Sequence, residues 1–248
     1  MRRASYRERA FVVRTYDFGE ADRIIVFLTR GRGLVRGVAK GVRRTKSRFG
    51  SRLQPFVELN VQLYPGRSLA TITGADTVNF YASSIIDNYE RYTAACSVLE
   101  AAERLAVAEV DDPWLYDAAL VTLGRLCGSD DPTLVLDSFL LRAMEHAGWA
   151  PSLFDCAQCR APGPHGAFHP GAGGAVCRTC MPRGADEVPP EALRLMWWLA
   201  HDHWDAVRGA SINNYVANVA HRLTRAHLHW HLERAIVALD VHDKGALT

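Results

Sequence analysis

The sequence predicts an α+β protein: a small five-stranded barrel over residues 1–80, followed by an α-helical domain over residues 81–248. A cysteine-rich element is inserted into the second domain at residues 152–183. Three observations carry this reading. Short alternating strands fill the first eighty residues, the hydrophobic period turns helical after them, and two Cys-x-x-Cys pairs interrupt the helices.

The strands are AFVVRTY (10–16), RIIVFLT (23–29), LVRGVAKGV (34–42), FVELNVQLY (56–64) and LATITGADTV (69–78). They are rich in β-branched and aromatic residues, and Val57, Leu59, Val61 and Leu63 alternate with polar neighbours. Asp17-Phe-Gly19, Gly31-Arg-Gly33 and Pro65-Gly66 supply turn chemistry between them. Five short strands fit an OB-fold barrel, and an SH3-like barrel satisfies the same pattern.

Helical periodicity begins after residue 80. Tyr92, Cys96, Leu99 and Ala106 share a face of a helix over about 87–108. Asp112-Pro113 and Asp131-Pro132 each place an N-cap before a proline at the first helical position. They open helices to about residues 127 and 148. Cys96 and Cys127 read as small buried apolar residues. After Pro189-Pro190, the residues Leu193, Met196, Trp197, Ala200, Trp204 and Val207 resume the period. A last helix over about 212–240 carries Tyr215, Val219, Leu223, Ala226, Trp230 and Val237, and residues 242–248 read as frayed.

The cysteine segment is Cys156-x2-Cys159-x17-Cys177-x2-Cys180. Two chelating turns of this spacing supply the four soft ligands of a tetrahedral zinc site. Four thiolates close the coordination shell, so the Zn2+ is expected to be single and structural rather than catalytic. His165 and His169 read as loop residues. A redox Cys-x-x-Cys belongs at a strand–helix junction of a βαβ unit, and none is seen. A zinc deaminase needs His-x-Glu ahead of its cysteines, whereas His231-Leu-Glu233 follows them.

Of the 248 residues, 48% are hydrophobic and 23% charged, as in ordinary globular domains. No apolar run suggests a membrane span, and no apolar stretch follows MRRASYRERA to make a secretory signal. A cytoplasmic protein is expected. The net charge of +2 hides an asymmetry. Residues 1–52 hold 15 Lys and Arg against 4 Asp and Glu, a balance of +11, and the remaining chain balances to −9. Such asymmetry points to an anionic partner for the head.

Residues 30–52 carry Arg30, Arg32, Arg36, Lys40, Arg43, Arg44, Lys46, Arg48 and Arg52 with no acidic residue. Arg36 and Lys40 are read as pointing from one face of a strand, and 43–48 as a loop. Phe49, Phe56 and Tyr64 lie among or after them. Cations that track a backbone, with aromatics on which bases stack, are the pattern of single-strand binding. Phe56 begins an alternating strand and reads as core, while Phe49 fits either role. An amphipathic membrane helix and a dinucleotide fingerprint are both lacking. No catalytic constellation rises above chance. Asp111-Asp112 and Asp130-Asp131 read as helix caps, His227 and His231 as solvated or capping residues. Arg222, Arg225 and His229 share a neighbouring face and are read as an extension of a nucleic-acid track.

The first seventy residues resemble the N-terminal region of the bacterial recombination mediator family RecO. The matching parts are Gly19-Glu20-Ala21-Asp22-Arg23, Val38-Ala39-Lys40-Gly41-Val42-Arg43-Arg44, and Ser47-Arg48-Phe49-Gly50 leading to Leu53-Gln54-Pro55-Phe56. Trp230-His231-Leu232-Glu233-Arg234 is similar to actinobacterial members. The resemblance implies an OB-fold that binds single- and double-stranded DNA, and a helical domain with a zinc-finger-like element. It implies RecR and the acidic C-terminal tail of single-strand-binding protein as partners. The implied activities are strand annealing and help in loading RecA on coated gaps, with no small-molecule substrate and no catalysis. Some members lack the cysteines, so the metal would support the fold. Two other readings stand beside this one: an RNA-binding OB-fold and zinc-ribbon module linked to translation, and an enzyme with a zinc centre.

Overall fold

The computed structural model describes residues 4–47, 49, 52–108, 110–232 and 235–246. Five strands form the N-terminal part: β1 (Tyr6–Phe18), β2 (Asp22–Thr29), β3 (Gly33–Ala39), β4 (Val57–Tyr64) and β5 (Ala70–Phe80). They close into a barrel in the order β1-β2-β3-β5-β4, with β4 returning to β1. The β3–β5 pair is parallel and the others antiparallel. This closure, with a parallel crossover pair, is the OB-fold and removes the SH3-like alternative.

The alternation on β4 does what the pattern implies. Val57, Leu59, Val61 and Leu63 are fully buried in the barrel with Ala10, Val12, Ile25, Phe27 and Ile72. Two residues break the rule of a solvated outer face. Phe11 and Glu58 are opposite each other on β1 and β4, point out of the barrel, and are also fully buried. The Tyr116 ring packs 5.1 Å from that of Phe11 and covers this face.

The helices follow as α1 (Ala82–Ile86), α2 (Tyr89–Leu105), α3 (Pro113–Leu126) and α4 (Pro132–His146). The cysteine segment carries the short strands β6 (Ala167–His169), β7 (Gly174–Ala175) and β8 (Asp186–Glu187). Then come α5 (Pro190–Ala200), α6 (Trp204–Gly209), α7 (Asn214–His231) and α8 (Val237–Ala246). The caps behave as the sequence implies: Asp112 accepts from Trp114 N, and Asp131 from Thr133 N and Leu134 N. The chain divides into two compact units, 1–129 with 238–248, and 130–237.

Four expectations are corrected. The helix expected over 87–108 is α2, opened by Asn88, whose side chain accepts from Arg91 N, but its buried face differs from the expected one. Its buried face is made by Ala94, Ala95, Val98, Leu99, Ala101 and Ala102, while Tyr92 is exposed and Cys96 half-buried. Small residues, not the large ones, set the phase. The run after Pro190 breaks at His201–His203, where Asp202 adopts φ 58° and takes a hydrogen bond from Trp204 Nε1. Trp197 is partly exposed rather than core. The expected 212–240 helix ends at His231, and Tyr215, Trp230 and Val237 are exposed. The terminal segment is helical to Ala246, not frayed: His242 is buried, with Nδ1 2.8 Å from Thr93 Oγ1, and Glu100 accepts Ala238 N at 2.8 Å. Among the described residues no helix is long and apolar enough to cross a membrane.

Candidate nucleic-acid interface and metal centre

The basic head is divided by its partners. Arg32 lies over the Tyr6 ring at 4.3 Å and pairs with Glu8 at 3.2 Å. Arg30 makes a two-pronged contact with Asp117, both bonds 2.9 Å. Arg52 donates to the Ala75 carbonyl. Arg43 pairs with Asp17 at 3.4 Å, and Asp17 also accepts from Arg23, so the Asp17 carboxyl is held below its usual range. Among the described residues no carboxylate pairs with Arg36, Lys40, Arg44 or Lys46, and all four are exposed. Arg48 lies outside the described residues.

Lys40 does not share the strand with Arg36. β3 ends at Ala39 and the chain turns at Gly41, which has φ 68°. Local bonds hold the start of the loop against the β1–β2 turn. Gly41 N donates to Asp22 Oδ1 at 2.7 Å, and Arg43 N donates to the Ala21 carbonyl at 3.0 Å. These are residues of the Gly19–Arg23 and Val38–Arg44 motifs, so two separate stretches of sequence build one corner.

The aromatics are sorted differently from the sequence reading. Phe49 is fully buried in the barrel core, so it offers no stacking face. Phe56 is buried edge-on to Tyr92, as a core role implies. Tyr64 is exposed. Sequence reasoning passed over Tyr16 and Phe18, which are 45% and 49% exposed at the end of β1. Their i, i+2 spacing put both on one face, and that was the signal available.

The four cysteines converge. Their Sγ atoms all lie within 4.8 Å of one another, with Cys159 Sγ 3.8 Å from Cys177 Sγ. A tetrahedron of sulfurs about 2.3 Å from a zinc ion has edges of about 3.8 Å. The donor set therefore fits zinc. Cys177 N approaches Cys156 Sγ at 3.4 Å, and backbone amides of Cys159 and Cys177 bring the Cys156 thiol down to about 6. Hydrogen bonds to the Cys159 and Cys177 sulfurs, with burial, push the Cys180 thiol up to about 12. Such a cluster favours thiolate at some positions and resists full deprotonation without a cation. His165 and His169 take no part: His165 Nε2 bonds the Ala161 carbonyl, and His169 Nδ1 accepts from Ala172 N.

The element is seated on α7. Gly171 approaches Trp230 so closely that a Cβ would come within 2.6 Å of the ring. Phe168 meets His227 edge to face, and Arg222 pairs with Asp186 at 2.7 Å. Arg222 thus ties down the zinc element. His227 Nε2 bonds the Trp149 carbonyl at 2.9 Å and His231 stacks on Trp149, so neither is arranged as a ligand.

Family models agree with this architecture. The model for the recombination protein O N terminus matches residues 1–81, and that for its C terminus matches residues 86–240. The chain belongs to the RecO family. Membership makes it a DNA-binding protein of recombination and repair, in a family of mediators. In this RecO chain the family's barrel carries the unpaired cations, and the C-terminal region carries a four-cysteine cluster able to hold a metal ion.

A groove of about 760 Å³ lies in the second unit, between the zinc element and α5. Phe154, Pro164, Leu193, Trp197 and Trp198 line it, with Arg194 lying 5.5 Å over the Trp198 ring. No local sequence pattern singles out these residues, because the two walls come from separate stretches, 153–165 and 190–198.

Proposed function

We propose that this chain binds single- and double-stranded DNA through the exposed cations Arg36, Lys40, Arg44 and Lys46 of the barrel, with Arg32, Arg43, Arg48 and Arg52 as further phosphate contacts. It would anneal complementary strands and help load RecA on gaps coated by single-strand-binding protein. The carrying observation is the set of exposed cations without carboxylate partners on a closed barrel. Annealing requires two polyanions to approach, and unpaired cations lower that repulsion without a nucleophile or nucleotide. One structural Zn2+ held by Cys156, Cys159, Cys177 and Cys180 would supply folding energy to the inserted element. RecR is the expected protein partner in the cytoplasm. The acidic, apolar-ended tail of single-strand-binding protein suits the Trp197–Trp198 groove, where Arg194 can meet its carboxylates.

The test is strand annealing with labelled complementary DNA, without nucleotide, over a salt series. Wild type should accelerate annealing, and a variant with Arg36, Lys40, Arg44 and Lys46 as alanine should do so weakly. Each lost phosphate contact should flatten the salt slope by about 0.7 on single strands. Absence of annealing by wild type, with stronger binding to RNA than to DNA of equal length, would replace this reading by the RNA-linked one.

A further inference from the structure

The second unit belongs to the acidic part of the chain, yet its zinc element reverses the sign. Residues 156–185 hold Arg160, Arg178 and Arg183 and no aspartate or glutamate. All three arginines are exposed, and among the described residues no carboxylate pairs with them. Most arginines elsewhere are spoken for: Arg9 with Glu58, Arg14 with Glu103, Arg208 with Asp130, Arg222 with Asp186. The bordering acids do not change this. Asp186 is held by Arg222, while Asp155 and Glu187 flank the segment on its two ends.

Geometry gathers two of these arginines. Cys159 Sγ and Cys177 Sγ are 3.8 Å apart, and Arg160 and Arg178 directly follow those cysteines in the chain. The backbone carrying Arg160 and the backbone carrying Arg178 are thereby brought together at the sulfur cluster, and Arg183 follows the last cysteine by three residues. Arg160 also stands at φ 62°, a left-handed conformation that glycine or asparagine adopts with less strain. A long basic side chain occupies a turn position that a smaller residue would take with less strain. That is an observation about the backbone, independent of the charge count, and it directs attention to the side chain.

We propose that Arg160, Arg178 and Arg183 form a second phosphate-contacting site, on the zinc element, for the backbone of a DNA strand. The guanidinium fork suits phosphate oxygens, and its charge does not titrate away. A closed metal centre would leave two formal negative charges among four thiolates. Three arginines balance them together with Asp155, so attraction to a polyanion rests on the exposed guanidiniums themselves rather than on net charge. The proposal rests on the DNA-binding reading and deepens it. One strand is held at the barrel corner and another at the zinc element, each in its own compact unit.

The experiment uses the full chain loaded with zinc and a single-stranded oligonucleotide. Arg160→Ala/Arg178→Ala/Arg183→Ala is compared with wild type for the slope of log affinity against log salt. The expected slope is shallower by about 2, at about 0.7 per lost contact. In a second assay wild type captures a labelled, non-complementary strand onto an immobilised one, and the triple variant loses this capture while still binding the first strand. Arg160→Lys/Arg178→Lys/Arg183→Lys should keep both properties. If the alanine variant loses metal, Arg183→Glu with full zinc content is read instead and should lower affinity at least several-fold. An unchanged slope and unchanged capture at full zinc content would overturn the proposal. Failure of wild type to bind DNA at all would instead overturn the reading on which it rests.

Discussion

Tyr116 Oη on α3 donates a 2.7 Å hydrogen bond to Glu58 Oε1 on β4. Arg9 and Asn79 bind the same carboxylate, which has no exposed surface. Burial alone would push the Glu58 carboxyl up. The three hydrogen bonds and the Arg9 charge outweigh that, and the net direction is below its ordinary value of 4.5. Glu58 therefore stabilises the fold as an anion, and burial with a bond to Glu58 raises the Tyr116 phenol well above its usual range.

Tyr116→Phe removes one charge-assisted bond and leaves the carboxylate buried. The expected loss is about 1.5–3 kcal/mol at neutral pH by urea unfolding. The pH dependence follows from the sign. With its folded pKa below 4.5, Glu58 contributes stability above that value, and the contribution is lost as pH falls through the folded pKa. Losing the Tyr116 bond moves that folded value up, so acid unfolding of the variant should begin at higher pH. A parallel displacement of the two stability curves, with no change of shape in acid, would exclude this account.

His227 titrates with the opposite logic to a salt-bridged histidine. Burial holds it below its usual 6.5 despite the bond from Nε2 to the Trp149 carbonyl. The unfolded chain takes up a proton near 6.5 that the folded chain refuses. Its stabilising contribution is therefore complete above 6.5 and lost as pH drops below it. His221, by contrast, is raised: burial opposes its charge, but Asp137 at 2.7 Å outweighs burial. Its contribution is present below 6.5 and declines as pH rises. Only the difference between variants separates the two. Stability of wild type minus His227→Phe, measured from pH 8 to 5, should decrease steadily toward acid, and a flat difference would show that His227 is not buried neutral.

Removal of a metal ion held by the four cysteines should act locally. The apolar cluster around the cysteines consists of Cys156, Ala167 and Val176, with partly buried alanines and cysteines around them. So small a core cannot offset the entropy of ordering some thirty residues. Structural zinc supplies apparent binding energies of the order of 10 kcal/mol in comparable small sites. Chelation, or Cys177→Ser, should abolish amide protection over residues 152–188. Protection in β1–β5 should persist, since the barrel core uses none of these residues. The cobalt-substituted protein should show thiolate charge-transfer bands without a water ligand.

The barrel strands were legible because they are rich in β-branched and aromatic residues, several with period 2, and their turns carry glycine, proline or aspartate. The four-cysteine cluster was legible because a chelating spacing marks it in the chain. What stayed hidden depended on residues far apart in sequence. Nothing local distinguishes Glu58 from an outward glutamate on a half-solvated strand; its burial depends on Tyr116, fifty-eight positions away. The phase of α2 was misread because alanines bury little individually, and the pattern of large residues pointed elsewhere. Arg43 and Arg44 are adjacent and look equivalent, yet only one meets a carboxylate across the barrel corner.

That difference yields the last prediction. Arg43 must exchange Asp17 for a phosphate if it is to bind DNA, whereas Arg44 and Lys46 need exchange nothing. An exposed ion pair is worth about 0–1 kcal/mol, so the exchange is feasible but reduces the gain. Arg44→Ala and Lys46→Ala should each flatten the single-strand salt slope by about 0.7, and Arg43→Ala by less. Asp17→Asn should release Arg43, steepening the slope and tightening DNA binding, provided Arg23 stays folded against the β1–β2 turn. If Asp17→Asn weakens binding at unchanged thermal stability, the carboxylate is positioning Arg43 for its phosphate rather than competing for it. The division of the corner into paired and unpaired cations would then have to be redrawn.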